Sequence, residues 1–199
     1  MAKPNEYIIA QRLSQITGLP ESTRFLIEFD AIFEGPLHFE ANESLWKIGD
    51  KDGCLWYIHE GYGFDKMLLE DGTKMLNGMI EPGIFICDES SLLWGGKSKT
   101  GAVMNTPSIA YRVKNSKWRE HMVQNESLQN VMLNINSHFV QMRKLRLMKM
   151  KMMDKLEYWK YIQDRFPGIE NYCSQTEIAR YFGVSKSTMH RIVKSEEDQ

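Results

Sequence analysis

One stretch near the carboxyl end, Gln175 to Lys194 (QTEIARYFGVSKSTMHRIVK), limits what this chain can fold into more than any other. Ile178, Phe182, Val184, Met189 and Ile192 recur at helical spacing on both sides of Gly183. A glycine there supplies the positive φ that lets one helix stop and a second leave at a steep angle. Ala179 is small enough for the two helices to approach closely, and Ser185 stands where an N-cap belongs, able to accept from the N–H of Ser187 or Thr188. The outward positions of the second helix are Lys186, Ser187, Thr188, His190 and Arg191, all hydrogen-bond donors and none acidic. That is the chemistry a helix needs in a DNA major groove, where guanine and phosphate oxygens accept. The plainer alternative is an ordinary αα-corner with a polar outer face.

Charge is distributed as such a unit requires. From Ser137 to Lys194 there are twelve Lys/Arg against five Asp/Glu, whereas residues 1 to 136 carry thirteen against eighteen, although the whole chain is close to neutral at −1. An acidic front and a basic back fit a sensing part joined to a nucleic-acid-binding part, and also a merely solvated basic helix. With 199 residues, 42% of them hydrophobic, the chain has enough apolar material for one or two cores. Cys54, Cys87 and Cys173 are scattered and lack metal-ligand spacing, which points to reduced thiols. The sequence MAKPNEYIIAQRL lacks a signal-peptide core and no run is long enough to span a bilayer, so a cytoplasmic protein without membrane contact is expected.

Tyr7, Ile8, Leu13 and Ile16 are spaced for a short amphipathic helix, and Gly18-Leu19-Pro20 separates it from an apolar patch at Phe25 to Phe33. From Leu37 to Val113 the texture is that of short strands, such as LWKI, CLWYIHEG, FDKMLL and SIAYRV, between turn signals at Gly49-Asp50, Asp52-Gly53 and Asp71-Gly72. An antiparallel β-barrel follows. After Lys117 the period is helical again. A short helix around Trp118, His121 and Met122 leads to a long one with Leu128, Val131, Met132, Ile135, Phe139, Met142 and Leu145 on one face. The methionine-rich segment Lys144 to Lys155 suits adaptable packing beside a hinge better than a soft-metal site. Leu156, Trp159, Tyr161 and Ile162 begin a further helix, ended by Phe166-Pro167-Gly168, and Ser174 caps the helix pair.

The order IGD, LWYIHEG, LEDGTKM, EPGIFI resembles the cyclic-nucleotide-binding barrel of the Crp/Fnr transcription regulators, with Gly49, Gly61, Gly72 and Gly83 at the family's glycine positions and Asn42 at another. RFPGI, a loop and SQTEIARYFGVSKSTMHRIVK resemble that family's DNA-binding end. The resemblance implies an α+β protein: a sensor domain with an N-terminal antiparallel jelly-roll barrel (1–115), a connecting and dimerisation helix (116–150) and a helix-turn-helix domain (151–199). It implies DNA contacts from Gln175, Thr176, Ser185, Lys186, Ser187, Thr188, His190, Arg191 and Lys194, with Ser187 in place of a glutamate that would read cytosine. It implies a dimer seam through Leu128, Met132, Ile135, Phe139 and Met142. It also places an effector site at Asp88, Glu89, Ser90, Lys99 and Thr100. Lys99 there cannot reproduce the bidentate grip of the family's arginine on a cyclic phosphate, which argues against cyclic AMP and leaves the small-molecule effector unidentified.

The expectation is therefore a homodimeric regulator on an inverted-repeat operator of double-stranded DNA, with no cofactor, no metal and no enzymatic activity. Two other readings stay open. One is a constitutive DNA binder whose barrel is a scaffold. The other is a cupin-like metalloenzyme using His38, His59 and Glu60, although the H-x-H pair usual for such a site is missing. Scattered cysteines also cannot hold an iron–sulfur cluster, and Cys87 on the effector turn is the one candidate redox switch.

Overall fold

The computed structural model describes residues 7–51 and 53–197. Two helices, α1 (Ile8–Thr17) and α2 (Arg24–Asp30), precede eight strands: β1 (Glu34–Phe39), β2 (Ser44–Trp46), β3 (Cys54–Glu60), β4 (Gly63–Leu68), β5 (Lys74–Ile80), β6 (Phe85–Ile86), β7 (Thr100–Met104) and β8 (Ser108–Lys114). A single helical turn, α3 (Glu89–Leu92), lies between β6 and β7. The chain then continues as α4 (Asn115–Gln124), α5 (Glu126–Met152), α6 (Lys155–Arg165), α7 (Ile169–Tyr172), α8 (Gln175–Tyr181) and α9 (Lys186–Glu197). This is the expected α+β jelly-roll, long helix and terminal helical unit.

The strands form two four-stranded antiparallel sheets, ordered β1-β8-β3-β6 and β2-β7-β4-β5. Trp46, Trp56, Ile58, Ile80 and Met104 fill the space inside. The turn glycines have the backbone their positions require. Gly72, in the turn between β4 and β5, has φ +78°, and Asn42 takes φ +70° as the one non-glycine in that region among the described residues. Asparagine tolerates this conformation because its short side chain hydrogen-bonds locally. Of the Asp52-Gly53 turn signal, Asp52 lies outside the described residues.

Helix α1 buries Ile9, Ala10 and Leu13, while Tyr7 is exposed. Of the expected stripe, Leu13 is buried and Ile8 and Ile16 pack against the same core, so only Tyr7 falls outside it. The first turn of α1 is anchored by Asp30 of α2, whose Oδ2 accepts from the N–H groups of Ile9 (2.8 Å) and Ala10 (2.9 Å). These helices pack on α5 through Leu13, Leu26, Phe29, Leu128, Val131 and Ile135. The consequence corrects the expected dimer seam. Leu128 and Ile135 are each 1% exposed, and Met132 and Phe139 pack against the same core, so their face of α5 belongs to the chain's own sensor half. Met142 lies on that side as well, lining a cleft against the barrel. An apolar stripe has the same period whichever partner it covers, and here α1 and α2 supply the partner.

Asn125 caps α5, its Oδ1 accepting from Ser127 and Leu128. The helix stops at Met152, and Met153 and Asp154 are extended. The expected hinge segment, Met150 to Asp154, thus contains the only non-helical residues between α5 and α6. Asp154 then starts α6 with a capping box completed by Glu157. In α6 the buried residues are Tyr158, Trp159 and Ile162. Tyr161 is partly buried against the same core and also lines the cleft.

Candidate nucleic-acid interface and effector region

The terminal helix pair is built as its sequence requires. Ser174 and Glu177 form a capping box at the start of α8. Gly183 has φ +65° and open space around its missing Cβ, so the turn, not crowding, is what calls for glycine. Ser185 Oγ accepts from the Thr188 N–H at 3.1 Å, the expected N-cap of α9. Ile178, Ala179, Phe182, Met189 and Ile192 are buried together with Trp159 and Ile162 of α6. Each large side chain sealed this way contributes roughly 1.5–3 kcal/mol, which fixes α9 rigidly on its support.

On the other side of α9, Lys186, Ser187, His190, Arg191 and Lys194 are exposed, and Thr188 is half-buried. Arg191 has only a long contact, 3.5 Å, from Nη2 to the Thr188 hydroxyl. Its guanidinium is therefore available to a partner. Gln175 and Thr176 are half-buried in the first turn of α8. The nine residues expected at a DNA interface thus lie on α8, α9 and the cap between them.

The helix pair is docked on the barrel. Phe64 of β4 and Leu76 of β5 share its core, and the rings of Phe64 and Phe166 stack with centroids 5.2 Å apart. Lys66 Nζ donates to Glu177 at 2.6 Å, and the Arg165 guanidinium donates to both carboxylate oxygens of Glu81 and to the Tyr161 hydroxyl. Burial raises the Glu177 pKa, but the Lys66 bond, the Ser174 bonds and the Lys66 charge outweigh it, so the net direction is down. A carboxylate lowered in the folded state stabilises above its unfolded value, and that stabilisation is lost as pH falls through the folded one. The tie between α8 and β4 should therefore weaken below about pH 4. Hydrogen exchange of the β4–β5 hairpin at pH 7 and pH 3.5 checks this: a Lys66→Met variant should show the acid behaviour at both values.

The expected effector residues are brought together, but as a closed structural tie. Asp88 is 5% exposed. Its Oδ1 accepts from the Ser91 N–H (2.9 Å), and its Oδ2 accepts from the N–H groups of Lys99 (2.8 Å) and Thr100 (3.0 Å) and from the Thr100 hydroxyl (3.0 Å). The donors that could cradle a phosphate are thus occupied by the protein's own carboxylate, and an incoming anion would face that negative charge at close range. The Lys99 side chain is exposed, Glu89 is exposed, and Ser90 is half-buried on α3. Burial, with Glu89 and Asp88 nearby, pushes the Cys87 thiol up to about 12, which removes the thiolate a redox switch needs at neutral pH.

A cleft of about 560 Å³ lies elsewhere, bordered by α1, β4, β5, β6, α5, α6 and α8. Arg143, Arg146, Lys149, Tyr161, Arg165 and Tyr181 line it, and none of these was singled out from sequence as an effector residue. The signal was present: Arg143, Arg146 and Lys149 fall three apart, on successive turns of one helix face. Of the cupin candidates only His59 and Glu60 meet, with Nε2 and Oε1 3.7 Å apart. His38 of β1 and Glu60 of β3 both pair with Ile109, on opposite sides of β8, and no group of three ligating side chains among the described residues could hold a metal.

No helix among the described residues is long and apolar enough to cross a membrane. No family pattern and no curated protein matches the sequence. Known structures do match in shape. The chain is similar to the c-di-GMP-responsive global regulator CLP of Xanthomonas campestris, at TM-score 0.58 and 14% identity over 82% of this chain and 86% of that one. It is similar to FixK2 of Bradyrhizobium japonicum (0.61, 13%, 83% and 85%) and to the catabolite activator protein of Thermus thermophilus (0.53, 16%, 94% and 87%). Barrel, long helix and terminal helix pair are arranged as in these structures, so the chain has the fold of the catabolite activator protein.

Proposed function

We propose that this protein is a sequence-specific, DNA-binding transcription regulator that acts as a homodimer and carries its sensor in the barrel half. The observation that carries the reading is α9: a helix fixed by a buried apolar face that presents Lys186, Ser187, His190, Arg191 and Lys194 outward, with no acid among them. Lys186, Lys194, Gln175 and Thr176 would meet phosphates, and Ser187, His190 and Arg191 base edges. The shape shared with a global regulator of gene expression and with a catabolite activator protein, matched over 86% and 87% of their own lengths, supports this assignment.

A dimer needs a seam, and the face first expected to supply it is covered by α1 and α2. The opposite face of α5 offers another. Leu133, Val140 and Leu147 are seven residues apart and exposed by 63%, 50% and 48%. A seven-residue repeat is what two helices winding about each other require. Sedimentation of Val140→Glu should show a monomer where the parent chain is a dimer, with operator affinity falling at least tenfold as two half-sites are no longer bound together. A dimeric Val140→Glu protein would move the seam off this face.

A further inference from the structure

We propose that one end of the barrel, the loop 93–99 with the turn 47–51 beside it, docks on the surface of an anionic phospholipid bilayer. Three segments meet there. The Gly49 N–H donates to the Ser98 carbonyl (2.9 Å) and the Ser98 N–H to the Asp50 carbonyl (2.7 Å), which joins turn to loop. Arg119 of α4 donates from Nη2 to the Leu93 carbonyl (3.1 Å), and Asn115, at the start of that helix, donates from Nδ2 to the Ser91 carbonyl (2.9 Å). The loop is thus held near both ends, and what it holds out is apolar. Trp94 is 80% exposed, Leu93 45% and Ile48 of the turn 37%. Trp46, Trp56, Trp118 and Trp159, the other four tryptophans, are all buried. Large apolar side chains grouped on a surface mark a contact with something outside the chain.

Cations accompany this tip. Lys47, Lys51, Lys97, Lys99 and Arg119 are exposed, and none of the five forms an ion pair among the described residues. Loop 93–99 contains no acid, and the exposed acid closest to it in sequence is Glu89 of α3. The acids of the turn are Asp50, whose Oδ2 is taken by the Lys47 N–H (2.8 Å), and Asp52, which lies outside the described residues.

The type of cation selects the partner. Protein interfaces favour arginine, whose planar fork grips carboxylates in pairs, and are depleted of lysine. Four of these five cations are lysines, compact hydrated charges suited to a diffuse negative surface such as a leaflet of anionic headgroups. Duplex DNA offers negative charge as well, but its outer surface is phosphate and sugar and gives Trp94 and Leu93 nowhere to be buried. A tryptophan settles at the boundary of headgroups and acyl chains, with its ring in the apolar layer and its N–H wet. Leu93 and Trp94 among lysines therefore match a bilayer in polarity and in charge. The expectation of no membrane contact rested on the lack of a spanning run, and a peripheral contact needs none. This contact does not depend on α9 or on the regulator reading.

The test is flotation of the full chain with vesicles of phosphatidylglycerol and phosphatidylcholine in equal parts, and with vesicles of phosphatidylcholine alone. Binding should be at least about tenfold tighter to the anionic vesicles and should weaken as salt is raised. Tryptophan emission should shift to the blue on binding, and Trp94→Ser should lose that shift, because the other four rings are already buried. Lys51→Glu combined with Lys97→Glu should weaken vesicle binding by more than about tenfold, with melting unchanged, since both side chains are exposed. No binding to anionic vesicles, equal binding to the two compositions, full binding by the double lysine variant, or a blue shift that survives in Trp94→Ser overturns the proposal. Operator binding by the same variants is measured alongside and should be unchanged. A loss of DNA affinity in the double variant, with no vesicle binding by the parent chain, would give the patch to the nucleic acid instead.

Discussion

Replacing Arg191 by alanine will weaken binding to the cognate operator by roughly 1–3 kcal/mol, about five- to 150-fold, and will relax specificity at one position of each half-site. The expectation follows from where the side chain sits. Arg191 lies on the exposed face of α9, two residues from the buried Met189 and next to the buried Ile192, so its backbone is fixed while its guanidinium is nearly unengaged. Removing it disturbs no packing, and melting should be unchanged. A bidentate guanidinium reads guanine O6 and N7, whereas a phosphate contact carries no sequence information. Binding to a panel of single-base operator variants separates these roles. A uniform loss across the panel, accompanied by a shallower salt dependence, would make Arg191 a phosphate contact instead.

Asp88→Ala will destabilise the barrel by roughly 3–5 kcal/mol, because it leaves several donors without an acceptor at about 1–3 kcal/mol for each one that stays buried. Three backbone N–H groups, those of Ser91, Lys99 and Thr100, lose their acceptor at once, and so does the Thr100 hydroxyl. The Ser91 bond is buried and the other three are part-buried, so water replaces the carboxylate poorly. For a chain of this length the loss corresponds to a fall in melting midpoint on the order of 10 °C. Lys99→Ala keeps the same backbone bonds and should melt with the parent. Equal midpoints for Asp88→Ala and the parent would show that the loop between α3 and β7 holds without this tie.

What could be read from sequence was local. The turn signals at Gly49 and Gly72 and the caps at Ser174 and Ser185 are decisions made within four or five residues, whereas Gly61, Gly83 and Asn42 are expected from the resemblance to the Crp/Fnr barrel; each takes the backbone or bond expected of it. The barrel was legible for the same reason, since alternation and turn chemistry repeat along the strands. Contacts set by residues far apart were not. The stripe from Leu128 to Phe139 has the period of a buried helix face, but only the position of α1 and α2 reveals that it is covered from within. Asp88, expected to face a ligand, meets backbone donors eleven and twelve residues further on, a closure that depends on how α3 and β7 meet. The cationic cleft draws its walls from strands, the long helix and the terminal unit, so no one stretch announces it.

The central claim is that α9 reads duplex DNA as one half of a symmetric pair. Selection of bound duplexes from a random pool by the purified chain tests it most directly. An inverted repeat should be enriched, its half-site centres one helical turn, about 34 Å, apart, and Arg191→Ala should lose preference at one base pair per half-site. Recovery of duplexes with no common sequence, or of a single unrepeated site bound by one chain, would contradict it.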